Sequence, residues 1–179
     1  MRRTISYILL PIFVLGLSFA FASIARAQEA PQITPEQTER VRSNCVALKT
    51  TVNQLHASDA LLRVNRGQMY ESMASGLMDK FNGRLGSNGL DNKAMTSVTG
   101  SYRGALNTFR ANYIAYEQKI SQALRIDCMD KPAEFYATLQ EARVLRMKVH
   151  EDVDKLHELI NDYRSSVGTF LTNYERLSN

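Results

Sequence analysis

Three side chains toward the C-terminal end of the chain have the type and spacing of metal ligands. His150, Asp154 and His157 follow one another at intervals of four and three residues, which places them on one face of a helix. A metal site in a helical bundle also needs ligands from facing helices at the same height. The remaining histidine, His56, lies about 27 Å away along the axis if the helices that carry it and His157 run parallel. The pattern therefore favours a solvated charged face over a metal site.

The two cysteines offer either a nucleophile or a disulfide. Counted from the turn near Asn88, Cys45 lies 43 residues back and Cys128 lies 40 residues forward. A helical hairpin brings them within about 5 Å of the same level. We predict an intramolecular Cys45–Cys128 bond in an oxidising compartment, with intermolecular pairing or two free thiols as alternatives. Bonded cysteines serve neither as nucleophiles nor as metal ligands.

Other catalytic motifs are missing from the sequence. It contains no phosphate-binding glycine loop and no G-x-S-x-G elbow, and Gly83, Gly86 and Gly89 mark a turn with no strand before it. We therefore expect no enzymatic activity and no cofactor.

The elements that carry these residues are predicted to be helices. Apolar side chains recur at alternating intervals of four and three residues, without the period of two that indicates strands. Thr34-Pro35-Glu36-Gln37 reads as a capping box with proline in the first turn, where the first helix begins. The fold class is all-α, in its simplest form three long antiparallel helices of a coiled-coil-like bundle.

Each predicted helix has its own apolar seam. The seam of the first helix shifts to steps of four after Met73, a late stutter. Its residues are Val41, Cys45, Leu48, Val52, Leu55, Leu62, Met69, Met73, Leu77, Phe81 and Leu85. The second seam is Met95, Val98, Tyr102, Ala105, Phe109, Tyr113, Tyr116, Ile120 and Ala123. The third is Phe135, Leu139, Ala142, Arg146, Val149, Val153, Leu156, Ile160, Tyr163, Val167, Phe170, Tyr174 and Leu177.

Polar residues interrupt these seams at Asp59 and Arg66 in the first helix and at Arg146 in the third. Such groups either line a ligand cavity or set the register between helices at some cost in stability. We favour the register interpretation.

Methionines cluster on both sides of the predicted turn at residues 82–89. Flexible methionine side chains adapt to partner surfaces and also fill gaps in cores. The predicted partner-binding tip consists of Met69, Met73, Met78 and Met95. Ordinary gap filling is the alternative.

The N-terminus has the features of an export signal. A basic start precedes a long apolar run, and Ala25 and Ala27 are the small residues that a signal peptidase reads before Gln28. We predict cleavage after Ala27. The alternative is an uncleaved membrane anchor through residues 5–25, because about 20 apolar residues span a bilayer.

Cleavage divides the chain into a signal peptide at residues 1–27, a short lead at 28–34 and one helical domain at 35–179. The full chain has 22 Lys and Arg against 18 Asp and Glu, and removal of Arg2, Arg3 and Arg26 leaves 19 against 18. The remaining charges are mixed, without the basic stripe that nucleic-acid binding requires.

Together these patterns predict a non-enzymatic coiled-coil protein, secreted or held in the periplasm or cell envelope, that acts through a protein partner or by self-association. Nucleic acid is not an expected partner. The alternatives are a helical protein that binds a metal or small ligand and an envelope protein that keeps its N-terminal anchor.

Overall fold

The computed structural model describes residues 33–178, and these are almost entirely helical. The elements are α1 (Pro35–Ser43), α2 (Cys45–Ser72), a π-helix (Met73–Met78), α3 (Asp79–Ser87), α4 (Lys93–Arg125) and α5 (Pro132–Ser178). No strand occurs in this described range, and the all-α prediction is confirmed. The predicted signal peptide, with its cleavage residues Ala25, Ala27 and Gln28, lies outside the described residues.

The segment predicted as the first helix is divided into α1, α2, the π-helix and α3. The predicted capping box is present: Thr34 Oγ1 accepts from the Gln37 N–H at 3.2 Å, and Gln37 Oε1 accepts from the Thr34 N–H at 2.9 Å. Asn44 separates α1 from α2, and its side-chain amide donates to the Arg40 carbonyl at 2.9 Å. Side chains that bond local backbone groups in this way compete with the regular helix ladder.

The π-helix lies where the sequence predicts a stutter. The buried residues Tyr70, Ala74, Met78 and Asn82 are spaced by four. In a regular α-helix each four-residue step rotates a side chain by about 40°, so three steps would turn the last residue away from the core. The wider turn of a π-helix compensates for this rotation and keeps all four on one face.

Helices α4 and α5 form a closely packed antiparallel pair. Two polar contacts mark their register: Lys119 Nζ lies 2.7 Å from Glu141 Oε2, and the Asn112 amide donates to Asp152 Oδ2 at 2.7 Å. The predicted seam of α4 and that of α5 as far as Phe170 are buried or half-buried. Both seam predictions are confirmed over these residues.

Helix α2 packs mainly on α4. Val52 is buried between the two helices, and His56 Nε2 lies 2.7 Å from Glu117 Oε1. The backbone of α2 does not approach that of α5 closely, although side chains of the two helices meet at several points. One face of α2 therefore remains uncovered.

The turn before α4 is shorter than predicted. The predicted break covers residues 82–89, but α3 continues through Ser87. Asn82 is buried and bonded on both sides: its amide donates to Thr99 Oγ1 at 2.9 Å, and its Oδ1 accepts from the Tyr163 hydroxyl at 2.9 Å. These bonds to α4 and α5 hold the start of the predicted break in helical conformation.

Gly89 is the point where the chain reverses. Its φ is +68°, in the left-handed region that glycine adopts without steric cost. The following Leu90 N–H donates to the Leu85 carbonyl at 3.0 Å, which satisfies a terminal group of α3.

The predicted disulfide is present. Cys45 in the first turn of α2 and Cys128 in the connection before α5 are bonded, with Cα atoms 5.6 Å apart and both side chains buried. Val41, Ile126 and Phe135 pack around the bond. The bond fixes the start of α2 to the α4–α5 pair at one end of the molecule.

Candidate functional site

A groove runs between the first helical segment and α5, with α4 beneath much of it. It contains three cavities in a row, of about 820, 190 and 350 Å³. Along α5 they extend from Phe135 to Val167, a distance of about 48 Å at 1.5 Å per residue. We refer to this feature as the long groove.

The largest cavity lies at the disulfide end, between α1, the first turns of α2 and the start of α5. Side chains of α4 form its base, and its lining is mostly apolar. The apolar and aromatic lining residues are Val41, Ala47, Leu48, Leu55, Tyr116, Ile120, Phe135, Tyr136, Leu139 and Ala142.

An exposed apolar row continues along α2 from this cavity. Leu55, Leu62 and Met69 repeat every seven residues and remain 39%, 47% and 44% exposed. We call these three residues the exposed row. They belong to the predicted first seam, and the expectation that this part of the seam packs in a core is wrong. Val52, before this stretch, is buried as the seam predicts, but at the other end of α2 the buried residue is Tyr70, one position after Met69.

A polar bridge crosses the middle of the long groove. Arg146 on α5 donates to both carboxylate oxygens of Asp59 on α2, from Nε at 2.6 Å and from Nη2 at 3.0 Å. The hydroxyl of Tyr116 on α4 donates to Asp59 Oδ2 at 2.7 Å. All three helices therefore meet at one carboxylate, and the bridge separates the largest cavity from the smallest.

The bridge holds Asp59 in its ionised form. Burial by itself raises the pKa of Asp59, but the hydrogen bonds from Arg146 and Tyr116, together with the guanidinium charge, outweigh it and leave the pKa below its usual value. Burial, and then the bond to the carboxylate, raise the pKa of Tyr116. The bond to Asp59 also raises the pKa of Arg146. This arrangement suits a structural ion pair and does not resemble a carboxyl group prepared to donate a proton.

A second polar contact crosses from α2 to α5 nearer the turn. The Tyr70 hydroxyl lies 3.1 Å from His157 Nε2, and the Tyr70 carbonyl accepts from the Tyr102 hydroxyl at 3.0 Å. Burial raises the pKa of Tyr102 to about 12, so this hydroxyl stays a neutral donor at physiological pH.

The predicted metal ligands are not brought together. The His157 side chain is hydrogen-bonded to the Tyr70 hydroxyl, His150 lines the smallest cavity beside Arg146, and Asp154 is exposed. Over the described part of the chain, no group of three or more His, Cys, Asp or Glu side chains is placed to hold a metal ion. The metal interpretation of this triplet has no support in the geometry.

The predicted methionine tip is divided between core and surface. Met78 and Met95 are 1% and 2% exposed, so neither is presented to a partner, because the π-helix and the first turn of α4 turn them inward. Met73 is half-buried beside the third cavity, and Met69 belongs to the exposed row. Of the four methionines in the predicted partner-binding tip, only Met69 and Met73 are accessible to a partner.

The sequence pattern identifies Asp59 and Arg146 of the polar bridge but not the groove around them. Asp59 and Arg146 were recognised as interruptions of two different seams, and their pairing agrees with the register interpretation. Arg66, the third interruption, lines the smallest cavity. One feature of the sequence points to the groove: two helices that run parallel carry opposite charges in their apolar seams.

No helix within residues 33–178 combines the length and the apolar character needed to cross a bilayer. The chain matches no protein-family model, no curated protein and no solved structure.

Proposed function

We propose that this is an exported, non-enzymatic helical protein that acts by protein–protein contact at or outside the cell envelope, with the long groove as its contact surface. The observation that carries this proposal is the exposed row beside an open, mostly apolar cavity. Exposed apolar side chains that share one side of a helix beside an apolar cavity are typical of interaction sites, whereas single exposed apolar residues are ordinary. A partner that covers the row gains about 25 cal/mol for each Å² of apolar surface removed from water.

Export is supported by the N-terminal sequence and by the buried disulfide, because disulfides persist mainly in oxidising compartments. The mass of the native protein separates the two N-terminal alternatives. A chain beginning at Gln28 is the expected form, and a chain that retains Met1 would indicate an anchor through residues 5–25.

In the proposed architecture, the consecutive elements from Pro35 to Ser87 act as a single arm beside α4 and α5. This is a coiled-coil-like bundle of three long arms, in which the first arm covers α4 and leaves the long groove open toward α5. Support comes from the succession of helical elements between these two residues, which is interrupted only at Asn44.

Site-specific crosslinking tests the contact surface. A photoreactive benzoylphenylalanine replaces Leu62 in one variant and Leu61 in a matched control, both expressed and exported in the native host. Leu61 is the neighbouring residue, is 68% exposed and lies outside the three cavities of the groove. We expect a covalent protein adduct from position 62 and none from position 61.

Equal adducts at the two positions would mean that the groove is not a distinct contact surface. Failure of position 62 to form any adduct in intact cells, with circular dichroism showing a folded protein, would reject the proposal.

A further inference from the structure

The chemistry of the partner can be specified from the charges of the long groove, and this step rests on the proposed function. Among the described residues, and apart from tyrosines, the ionisable side chains that line its three cavities are six arginines, one histidine and one aspartate. The arginines are Arg40, Arg63, Arg66, Arg143, Arg146 and Arg164. The chain beyond the predicted signal is nearly balanced, with 19 basic and 18 acidic residues, so the excess of positive charge is a local property of the groove.

Two of these six arginines are neutralised by ion pairs within the protein, and Arg63 lies over the Tyr113 ring at 5.3 Å from its centroid. Arg146 is paired with Asp59, and Arg40 is paired with Glu36 at the far end of the groove. The other four arginines form no ion pair with a carboxylate of the described residues. An occupant that supplies carboxylates would therefore meet positive charge on both the α2 side and the α5 side.

The shape of the groove fits a helix. Helices that pack side by side insert their side chains between positions repeated about every seven residues, and the exposed row has this spacing. An acyl chain or other small ligand is bound mainly by enclosure. This groove is instead open to solvent on its outer side, above the two polar contacts that cross it, and the side chains of the exposed row are accessible there.

A second copy of the chain is a poor match for the same groove. A two-fold symmetric contact places one surface against itself, so it would set the arginines of one protomer against those of the other. Like charges brought together at an interface oppose association.

We propose that the long groove binds an acidic amphipathic helix of a partner protein. The apolar side chains of that helix cover the exposed row, and its carboxylates lie beside Arg63 and Arg66 on α2 and Arg143 on α5. The partner lies along the outer side of the groove, over the two polar contacts that join α2 to α5, as an additional helix of the bundle.

Two labelled synthetic helices test this proposal against the mature, oxidised protein. Each has about 21 residues, or three heptads, with leucine at the a and d positions. One carries glutamate at the flanking positions and the other carries lysine. Fluorescence anisotropy at low salt measures the affinity of the protein for each helix. We expect the glutamate helix to bind about tenfold tighter than the lysine helix, because each of several exposed ion pairs contributes part of this difference in binding free energy. The difference is expected to narrow at high salt because the charges are screened.

Variants of the protein assign the preference to the groove. The double variant Arg66→Glu, Arg143→Glu is expected to reverse the preference between the two helices, while Leu62→Ser weakens the binding of both. The control with the same change of net charge is Lys80→Glu with Lys148→Glu, two exposed positions on α3 and α5 that lie outside the groove cavities. This control is expected to keep the preference of the original protein.

Several results would overturn the acidic-helix inference while leaving the proposed function in place. One is equal binding of both helices that Leu62→Ser abolishes, because docking would then be purely apolar. Another is binding of neither helix while the crosslink at position 62 persists. A dimer in sedimentation that Leu62→Ser dissociates would assign the groove to a second copy. Displacement of the glutamate helix by oleate would assign the groove to an anionic lipid.

Discussion

The seam of α4 between Phe109 and Ile120 and the exposed row of α2 follow the same apolar repeat, but the first is buried and the second is not. Helix α4 has a neighbour on two sides, since both α2 and α5 pack against it. Helix α2 has α4 on one side and the open groove on another. The comparison shows that an apolar repeat determines which side chains share a face, whereas burial depends on whether another element covers that face.

The two regions also differ in what holds them in place. The α4–α5 pair is fixed by continuous packing of apolar side chains along both helices. The exposed part of α2 is held at its start by the disulfide and further along by single polar contacts such as the Asp59–Arg146 bridge. Each of these attachments can be removed separately by mutation.

Removal of the disulfide is expected to have the largest effect. The double variant Cys45→Ala, Cys128→Ala opens a loop with a sequence separation of 83 residues. In the chain-entropy model, the free energy of unfolding is expected to fall by about 4 kcal/mol. Urea unfolding of the variant measures this loss, and the original protein in excess reductant serves as the control. A loss below about 1 kcal/mol would show that packing alone attaches α2 to the pair.

A pair of leucine truncations compares the two regions directly. Leu156 on α5 is fully buried, whereas Leu62 is 47% exposed. Leu156→Ala is expected to lower the free energy of unfolding by about 3 kcal/mol, because it leaves a cavity in the core. Leu62→Ala is expected to change it by less than about 0.5 kcal/mol, as is usual for surface positions. Similar losses for both variants in urea unfolding would mean that the exposed row is covered in solution.

Loss of the polar bridge is expected to have a smaller, pH-dependent effect. Asp59→Asn is expected to cost about 1–2 kcal/mol at pH 7, because the ion pair is lost and the partly exposed Arg146 is screened by water. The pKa of Asp59 is lowered in the folded protein, so its stabilisation is complete above about pH 4, the range of an unfolded aspartate, and is lost as the pH falls through the folded value.

The difference in unfolding free energy between the original protein and Asp59→Asn is therefore expected to shrink as the pH falls below about 4. Asp162→Asn, at an exposed position of α5 outside the groove, provides the control and is expected to change stability by less than about 0.5 kcal/mol. A difference that is independent of pH would contradict the role of the ionised Asp59 carboxylate.

Much of the fold followed from local rules. Thr34 and Gln37 predict the start of α1, because a capping box satisfies the free backbone N–H groups of a helix start within four residues. The alternating spacing in α4 and α5 identified their buried faces. The Cys45–Cys128 bond followed from counting residues on both sides of one turn, because the rise per residue of a helix is constant.

The candidate site was predicted only in part. Asp59 and Arg146 were noticed as polar interruptions, but nothing in the spacing of either helix shows that their side chains meet across a groove. Met78 and Met95 were assigned to a binding surface and are buried, since exposure depends on how the neighbouring helices pack. His150 and His157 share a helix face by spacing, yet they take separate partners and surroundings.

The sequence by itself determined the helical class, the side of each helix that carries apolar residues, and the level at which the two cysteines meet. These properties depend on the geometry of a single helix and on the rise per residue. Only the tertiary structure decided that α2 packs on α4 and not on α5, that Asp59 reaches Arg146, and that the exposed row remains accessible. These outcomes depend on the relative positions of three helices, which many distant contacts set together and no local pattern encodes.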